Sequence, residues 1–392
     1  MKRGLLLLAA LAALAATAGV IYDLWRPYRG FSGDLTVVIP PGTRAPDVAQ
    51  LLASGGVLAH RWPFLFLYQF GRVRHHTIKA GEYLFDRRLR PIDVYRKLVR
   101  GDVYLHPVVI PEGSDRLDMA RILQRQLGLN PEGFQRATEQ TALIRELDPW
   151  ALSLEGYLYP DTYRFPRTVE PETVVAAMLA RFRKVIESQL PPELAYSPER
   201  LREIITLASL LEKETPDPAE RPVIAGVFAR RLERRMPLQC DPTVVYADRL
   251  ARGPIADAGG GITRSELTTD SPYNTYLHAG LPPGPICSPG LVSIRAAANP
   301  AAGSALYFVS NNRGGHVFAN TLQEHERNVA RYRRELAALR RPPQPAADTN
   351  EEVDQPGPAS HDGGRRSKRK GRRGRTGASN TTRGQEQETA HP

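Results

Sequence analysis

Cysteine is almost absent from this chain of 392 residues, which carries only Cys240 and Cys287. So few exclude a disulfide framework and a Cys-rich metal site, leaving room for one bridge at most. Histidine offers no ligand set in its place: His75–His76, His316 and His325 lack metal spacing and read as solvated or packed rings. No cofactor motif stands out. Positive charge, by contrast, is plentiful. The formal net charge is +11 and the pI near 9.8, which suits an anionic surrounding such as lipid, nucleic acid or an acidic polymer. Plain solvated surface accounts for the composition equally well.

The first thirty residues, MKRGLLLLAALAALAATAGVIYDLWRPYRG, place Lys2 and Arg3 before an uncharged stretch from Gly4 to Tyr22. That stretch approaches the ~20 residues that span a bilayer. The flanking positive charge predicts a cytoplasmic N-terminus and a body outside. A cleaved signal peptide competes, since ALAATAG offers small residues to a peptidase. Tyr22 and Trp25, placed as interfacial anchors, favour a retained single-pass anchor over residues 1–26 in the cytoplasmic (inner) membrane. Either way the body is extracytoplasmic.

Beyond a polar link at 27–33, DLTVVIPPGTRAPDVAQLLASGGVL reads as strand, turn and helix, with Val48, Leu51 and Leu52 on one side. HRWPFLFLYQFG predicts another helix. IKAGEYLFDRRLRPIDVYRKLVRGDV then gives a strand at Glu82 to Phe85 and a helix striped by Val94, Leu98 and Val99. Strand and helix thus recur over residues 34–105, an arrangement similar to LysM-like modules, which bind amino-sugar polymers. Residues 106–340 predict a larger mixed domain. It has a strand at Val108 to Ile110, helices over 171–190 and 198–214, a turn-rich stretch from Leu238, and a final helix from Leu322 to Leu339. Residues 341–392 lack apolar periodicity and predict a disordered basic tail. The fold class expected is α+β.

One carboxylate stands out. On the helix Leu201 to Glu214, at about 100° per residue, Leu201, Ile205 and Ala208 lie within about 40° of Glu212. Glu214 and Glu203 point about 180–200° away. Thr215-Pro216 ends the helix, so Glu212 sits in its last turn near unpaired carbonyls. Burial and dipole both favour the protonated form, as a general acid for a glycosidic oxygen requires. The bland alternative is an acid paired with a cation, with Lys213 and Arg202 the candidates.

LASLLEKET, with LQCDPTVVYA, SPYNTYLHAGLPPGPICSPG and LYFVSNNRGGHVFANTLQEH, resembles the endolytic murein transglycosylase family, MltG-like. VIPEG, LEGYLYPDTYRF and the N-terminal anchor extend the likeness to residues 1–340. The family's catalytic glutamate falls on Glu212, which the helical-face argument selects independently. The resemblance implies a lyase that cuts the MurNAc–GlcNAc bond within peptidoglycan strands and leaves 1,6-anhydro ends. It also implies work beside wall synthases that ends glycan elongation. Gln239 and Asp241 match a family motif and are expected to orient sugar hydroxyls or support Glu212, or Asp241 to cap a helix or turn. Cys240 departs from the small hydroxyl residue of many relatives. Tyr273, Asn274 and Tyr276 are expected to grip a sugar ring, or simply to pack. The other reading is a membrane-tethered glycan-binding scaffold without activity. A nucleic-acid partner for the basic tail would need a cytoplasmic body, which the anchor opposes.

Overall fold

The computed structural model describes residues 2–252 and 267–339 of the chain. It is a mixed α+β structure whose strands form three small antiparallel pairs among the described residues. Two compact units emerge, Met1–Leu306 and Tyr307–Pro392.

Helix α1 (Lys2–Trp25) covers the N-terminal apolar stretch. The side chains of its first turns fall outside the described residues. Among those described, no helix is long and apolar enough to cross a membrane. The tail at 341–392, expected to be disordered, also falls outside them.

The small module is β1 (Leu35–Ile39), α2 (Ala45–Ser54), α3 (Trp62–Val73), β2 (Gly81–Phe85) and α4 (Pro91–Arg100). β1 and β2 run antiparallel, with Val37 opposite Tyr83 and Leu35 opposite Phe85. Strand alternation turns Val37, Ile39, Tyr83 and Phe85 inward, onto Val48, Leu52, Phe64, Val94 and Leu98. Leu51 departs from expectation: it is 41 % exposed. The inward face of α2 is completed by Ala45 and Ala49, which shifts the stripe off Leu51.

Next come β3 (His106–Val109), α5 (Arg116–Leu127), α6 (Pro131–Thr138), β4 (Thr162–Phe165), α7 (Pro171–Gln189) and the short α8 (Pro192–Ala195). β3 pairs with β4, Val108 opposite Tyr163. α9 (Pro198–Glu214), α10 (Arg221–Glu233), α11 (Asp241–Arg252) and α12 (Leu291–Ala298) follow. α9 is the central element, and α8, α10, α11 and α12 all pack on it. The sequence predicts a one-sided stripe, but every residue from Ile204 to Leu211 is buried. A helix enclosed on several sides needs apolar or small residues all round.

In the second unit, β5 (Tyr307–Ser310) and β6 (His316–Ala319) form a hairpin covered by α13 (Leu322–Leu339).

Candidate active site

Glu212 closes α9. Thr215 has the extended backbone (φ −140°, ψ 133°) that a residue before proline adopts. Its hydroxyl accepts the Asp217 N–H at 3.1 Å, and the Asp217 carboxylate accepts the Ala219 N–H at 2.9 Å. This tight turn delivers the chain at once into α10, whose first residue is Arg221. The guanidinium folds back onto α9: Nη2 donates to Glu212 Oε1 at 3.0 Å and Nη1 to Oε2 at 3.2 Å. Both side chains are nearly enclosed, 7 % and 6 % exposed. Of the two readings that periodicity leaves open, the structure shows the acid paired with a cation, as a buried, bidentate ion pair. Its cation is neither Lys213 nor Arg202, and Arg202 instead binds Asp148 at 2.5 Å.

A second segment reaches Glu212 from far along the chain. Ser209, on α9, accepts the Ile286 N–H at 3.0 Å, and the Cys287 thiol donates to the Ser209 carbonyl at 3.3 Å. With the loop pinned there, the Gly290 N–H donates to Glu212 Oε2 at 2.9 Å. Glu212 thus accepts three N–H groups.

The same loop brings in a second carboxyl group. Gly113 donates to the Ser288 carbonyl and Ser288 to the Ser114 carbonyl, each at 2.9 Å. This pairing lays Glu112 against Gly290, where an added methyl group would overlap the Glu112 carboxyl. Gly290 has an ordinary φ of −76°, so glycine serves here for space rather than conformation. Burial pushes the Glu112 carboxyl up, the Glu212 charge adds to this, and Arg221 opposes it. Two carboxyl groups therefore flank one glycine, one locked by donors and the other next to a like charge.

Behind the loop lies a buried ionic network. Asp115 caps α5 in a reciprocal capping box with Asp118. Arg249 of α11 binds Asp115 at 2.5 Å and Asp118 at 2.8 Å. Glu155, 3 % exposed, accepts the Arg116 N–H at 3.0 Å and the Tyr246 hydroxyl at 3.1 Å. Burial, then the Asp115 charge, push its carboxyl up to about 7 against the pull of Arg116. These contacts hold the turn that carries Glu112.

The residues expected to bind substrate divide between two places. Asp241 opens α11 and accepts the Tyr276 hydroxyl. Cys240 donates to Glu214 at 3.4 Å, and burial, then the Glu214 charge, push the thiol up. Gln239 is held by its N–H on the Thr275 carbonyl at 3.1 Å and by Arg231 on its side chain at 3.3 Å. Tyr273 points elsewhere, its ring edge-on to Tyr246 with centroids 5.1 Å apart, beside the Glu155 network. Asn274 is fully buried. Its amide donates to the Leu267 and Thr269 carbonyls at 2.9 Å and accepts the Tyr276 N–H at 3.0 Å, so it shapes its own loop. Both cysteines are buried and free.

Sequence reasoning missed Glu112, Arg221, Gly290 and Glu155. VIPEG and the PG of 289–290 were in view as motifs, but neither carries a periodicity that names a neighbour. The signal for Arg221 was a cation just past a short proline turn, which returns the chain to the helix end it left.

Comparison with known proteins gives this geometry a family. Endolytic murein transglycosylase of Bacillus subtilis is 29% identical, covering 76% of this chain and 84% of its own. Two Streptococcus pneumoniae proteins of that name are 30% and 31% identical over 76% of this chain, which spans 58% of their length. The crystal structure of a yceG-like protein from Listeria monocytogenes superposes with a TM-score of 0.50 at 30% identity, covering 75% of this chain and 99% of that one. Residues 37–331 match the model of the YceG-like family, to which the chain therefore belongs.

Proposed function

We propose that this chain is an endolytic lytic transglycosylase that cuts MurNAc–GlcNAc bonds inside peptidoglycan strands. The observation that carries the reading is the pair of carboxyl groups at Gly290, with Glu212 fixed by Arg221 and Glu112 beside it. In the reaction the C1–O4 bond breaks, O4 of the leaving GlcNAc gains a proton, and the MurNAc 6-hydroxyl loses one as its oxygen bonds C1. One proton is given and one taken, so no water is consumed. Glu212 is the catalytic group, and its three fixed donors hold it in one orientation toward the sugar. Glu112, whose proton is held more firmly than a free carboxyl's, donates to the leaving oxygen while Glu212 takes the 6-hydroxyl proton. Transfer between the two groups resets the site. Asp241 with Tyr276, and Gln239, present polar groups to sugar hydroxyls, and Asn274 and Tyr273 position the loop that carries Tyr276.

In the same reading α1 is a single-pass anchor, the body is extracytoplasmic, and residues 34–105 are a LysM-like glycan-binding module. This reading rests on the uncharged sequence stretch Gly4–Tyr22, which includes the first turns of α1 whose side chains lie outside the described residues. Wall synthases are the partners this placement suits.

The test is digestion of purified sacculi with product masses measured. Anhydro ends support the lyase, and reducing ends would mean that water, not the 6-hydroxyl, attacks. Glu212→Gln is expected to lower turnover by about 10³-fold or more while leaving glycan binding and the circular dichroism spectrum unchanged. Comparable turnover by that variant would reject the site. No cleavage by the unsubstituted chain would favour a scaffold.

A further inference from the structure

Helix α3 buries Pro63, Phe64 and Gly71. A methyl group on Gly71 would overlap the Tyr95 hydroxyl, so α3 lies tight against α4. The opposite face is not polar. Trp62, Phe66, Phe70 and Val73 are 38 %, 41 %, 64 % and 81 % exposed, and at helical spacing they fall within an arc of about 80°. The Phe66 and Phe70 rings touch, with centroids 4.7 Å apart. Such a run of large apolar groups on one solvent face marks a contact surface.

Two further observations say what covers it. The segment from His60 to Gly81 has no Asp or Glu but carries Arg61, Arg72, Arg74 and Lys79, with His60, His75 and His76. An apolar helix face on a segment whose charged residues are all cationic complements an anionic headgroup layer and disfavours a cationic partner. In addition α1 packs directly on α3 and α4, and its Ile21, Tyr22 and Trp25 are exposed next to the module. The anchor helix α1 and the exposed aromatic face thus belong to neighbouring, packed helices.

We propose that α3 lies in the surface of an anionic lipid bilayer, its Trp62–Phe66–Phe70–Val73 face in the headgroup–acyl boundary. The inference rests on the anchoring reading of α1. The module would then be a second point of membrane contact, holding the body at a fixed height and orientation.

The chain has three tryptophans, and Trp25 and Trp150 are about half exposed, so replacing them by phenylalanine leaves the core intact. The full chain carrying Trp25→Phe and Trp150→Phe retains Trp62 alone; Trp62→Phe with Trp150→Phe retains Trp25. Each is reconstituted in phosphatidylglycerol–phosphatidylcholine vesicles with acyl chains brominated at carbons 6 and 7. Trp62 emission should fall at least twofold relative to unbrominated vesicles. Adding Phe66→Gln and Phe70→Gln should abolish that loss while Trp25 stays quenched. Quenching of Trp25 without Trp62 would overturn the docking of α3 and leave the anchor standing. If neither is quenched, the anchor reading and this inference fall together.

Discussion

The small module and the region around Glu212 are built on opposite terms. Between residues 34 and 103 no charged or polar side chain is buried, and the core is aliphatic and aromatic throughout. From residue 114 to 293, Asp115, Asp148, Glu155, Arg221, Arg231 and Arg249 are all enclosed. Apolar burial is forgiving and local in its sequence signal, whereas buried charges need specific partners. The protein keeps costly ionic contacts where a loop and two carboxyl groups must be held in register, and does without them in the core of the module, which apolar packing alone holds together.

That contrast can be broken most severely at Arg249. Arg249→Met leaves Asp115 buried without its cation, while Asp118 keeps Arg121 at 3.2 Å, and unfolding in urea should show a loss of about 3–5 kcal/mol. A loss under 1 kcal/mol would mean the network is not structural. In the module, Leu52→Ala removes a fully buried side chain and should cost about 2–5 kcal/mol. The two variants are distinguished by pH: the Arg249 effect should shrink as the aspartates protonate, and the Leu52 effect should not.

Glu155 sharpens the comparison through linkage. Its folded carboxyl is raised from 4.5 to about 7, so the folded state holds the proton more tightly. Its contribution is complete below the unfolded value and is lost as pH rises through about 7. The full swing is on the order of 3 kcal/mol. Urea midpoints between pH 5 and pH 8 should therefore decline, and Glu155→Gln should flatten the decline. An identical slope in the variant would count against Glu155 as its source.

The smallest effect on stability comes with a clear effect on rate. Gly290→Ala meets only the mobile end of Glu112, so the melting temperature should move little. Turnover should fall about tenfold, or about 1.4 kcal/mol in barrier, and match that of Glu112→Gln. If Gly290→Ala is fully active, Glu112 has no part in proton transfer.

How much of this was legible follows the same division. Alternation in LTVVI and GEYLF and the spacing of Val48, Leu52, Val94 and Leu98 gave the module's strands and helices, because each pattern is written within one element. Periodicity also placed Glu212 on the buried side of α9. It could not supply Arg221, which in sequence is one arginine among many, or Gly290, which sits in a turn-rich stretch where proline and glycine announce only a bend. Glu112 lies in a turn with no period at all. Asn274 shows the converse: an amide in a motif suggests a ligand, yet its polar atoms are spent on its own loop. Contacts between distant segments, rather than residue types, separate these outcomes.

The backbone bond from Gly290 to Glu212 spans 78 positions of sequence, which has a consequence for timing. A chain that emerges from its N-terminus exposes both carboxyl groups well before residue 290 exists to join them. Until then Glu212 has Arg221 but lacks its third donor, and Glu112 lacks the wall that fixes it. The paired site is thus incomplete by construction until that stretch has been made, and a chain truncated before the last loop would carry both acids without the bond that joins them.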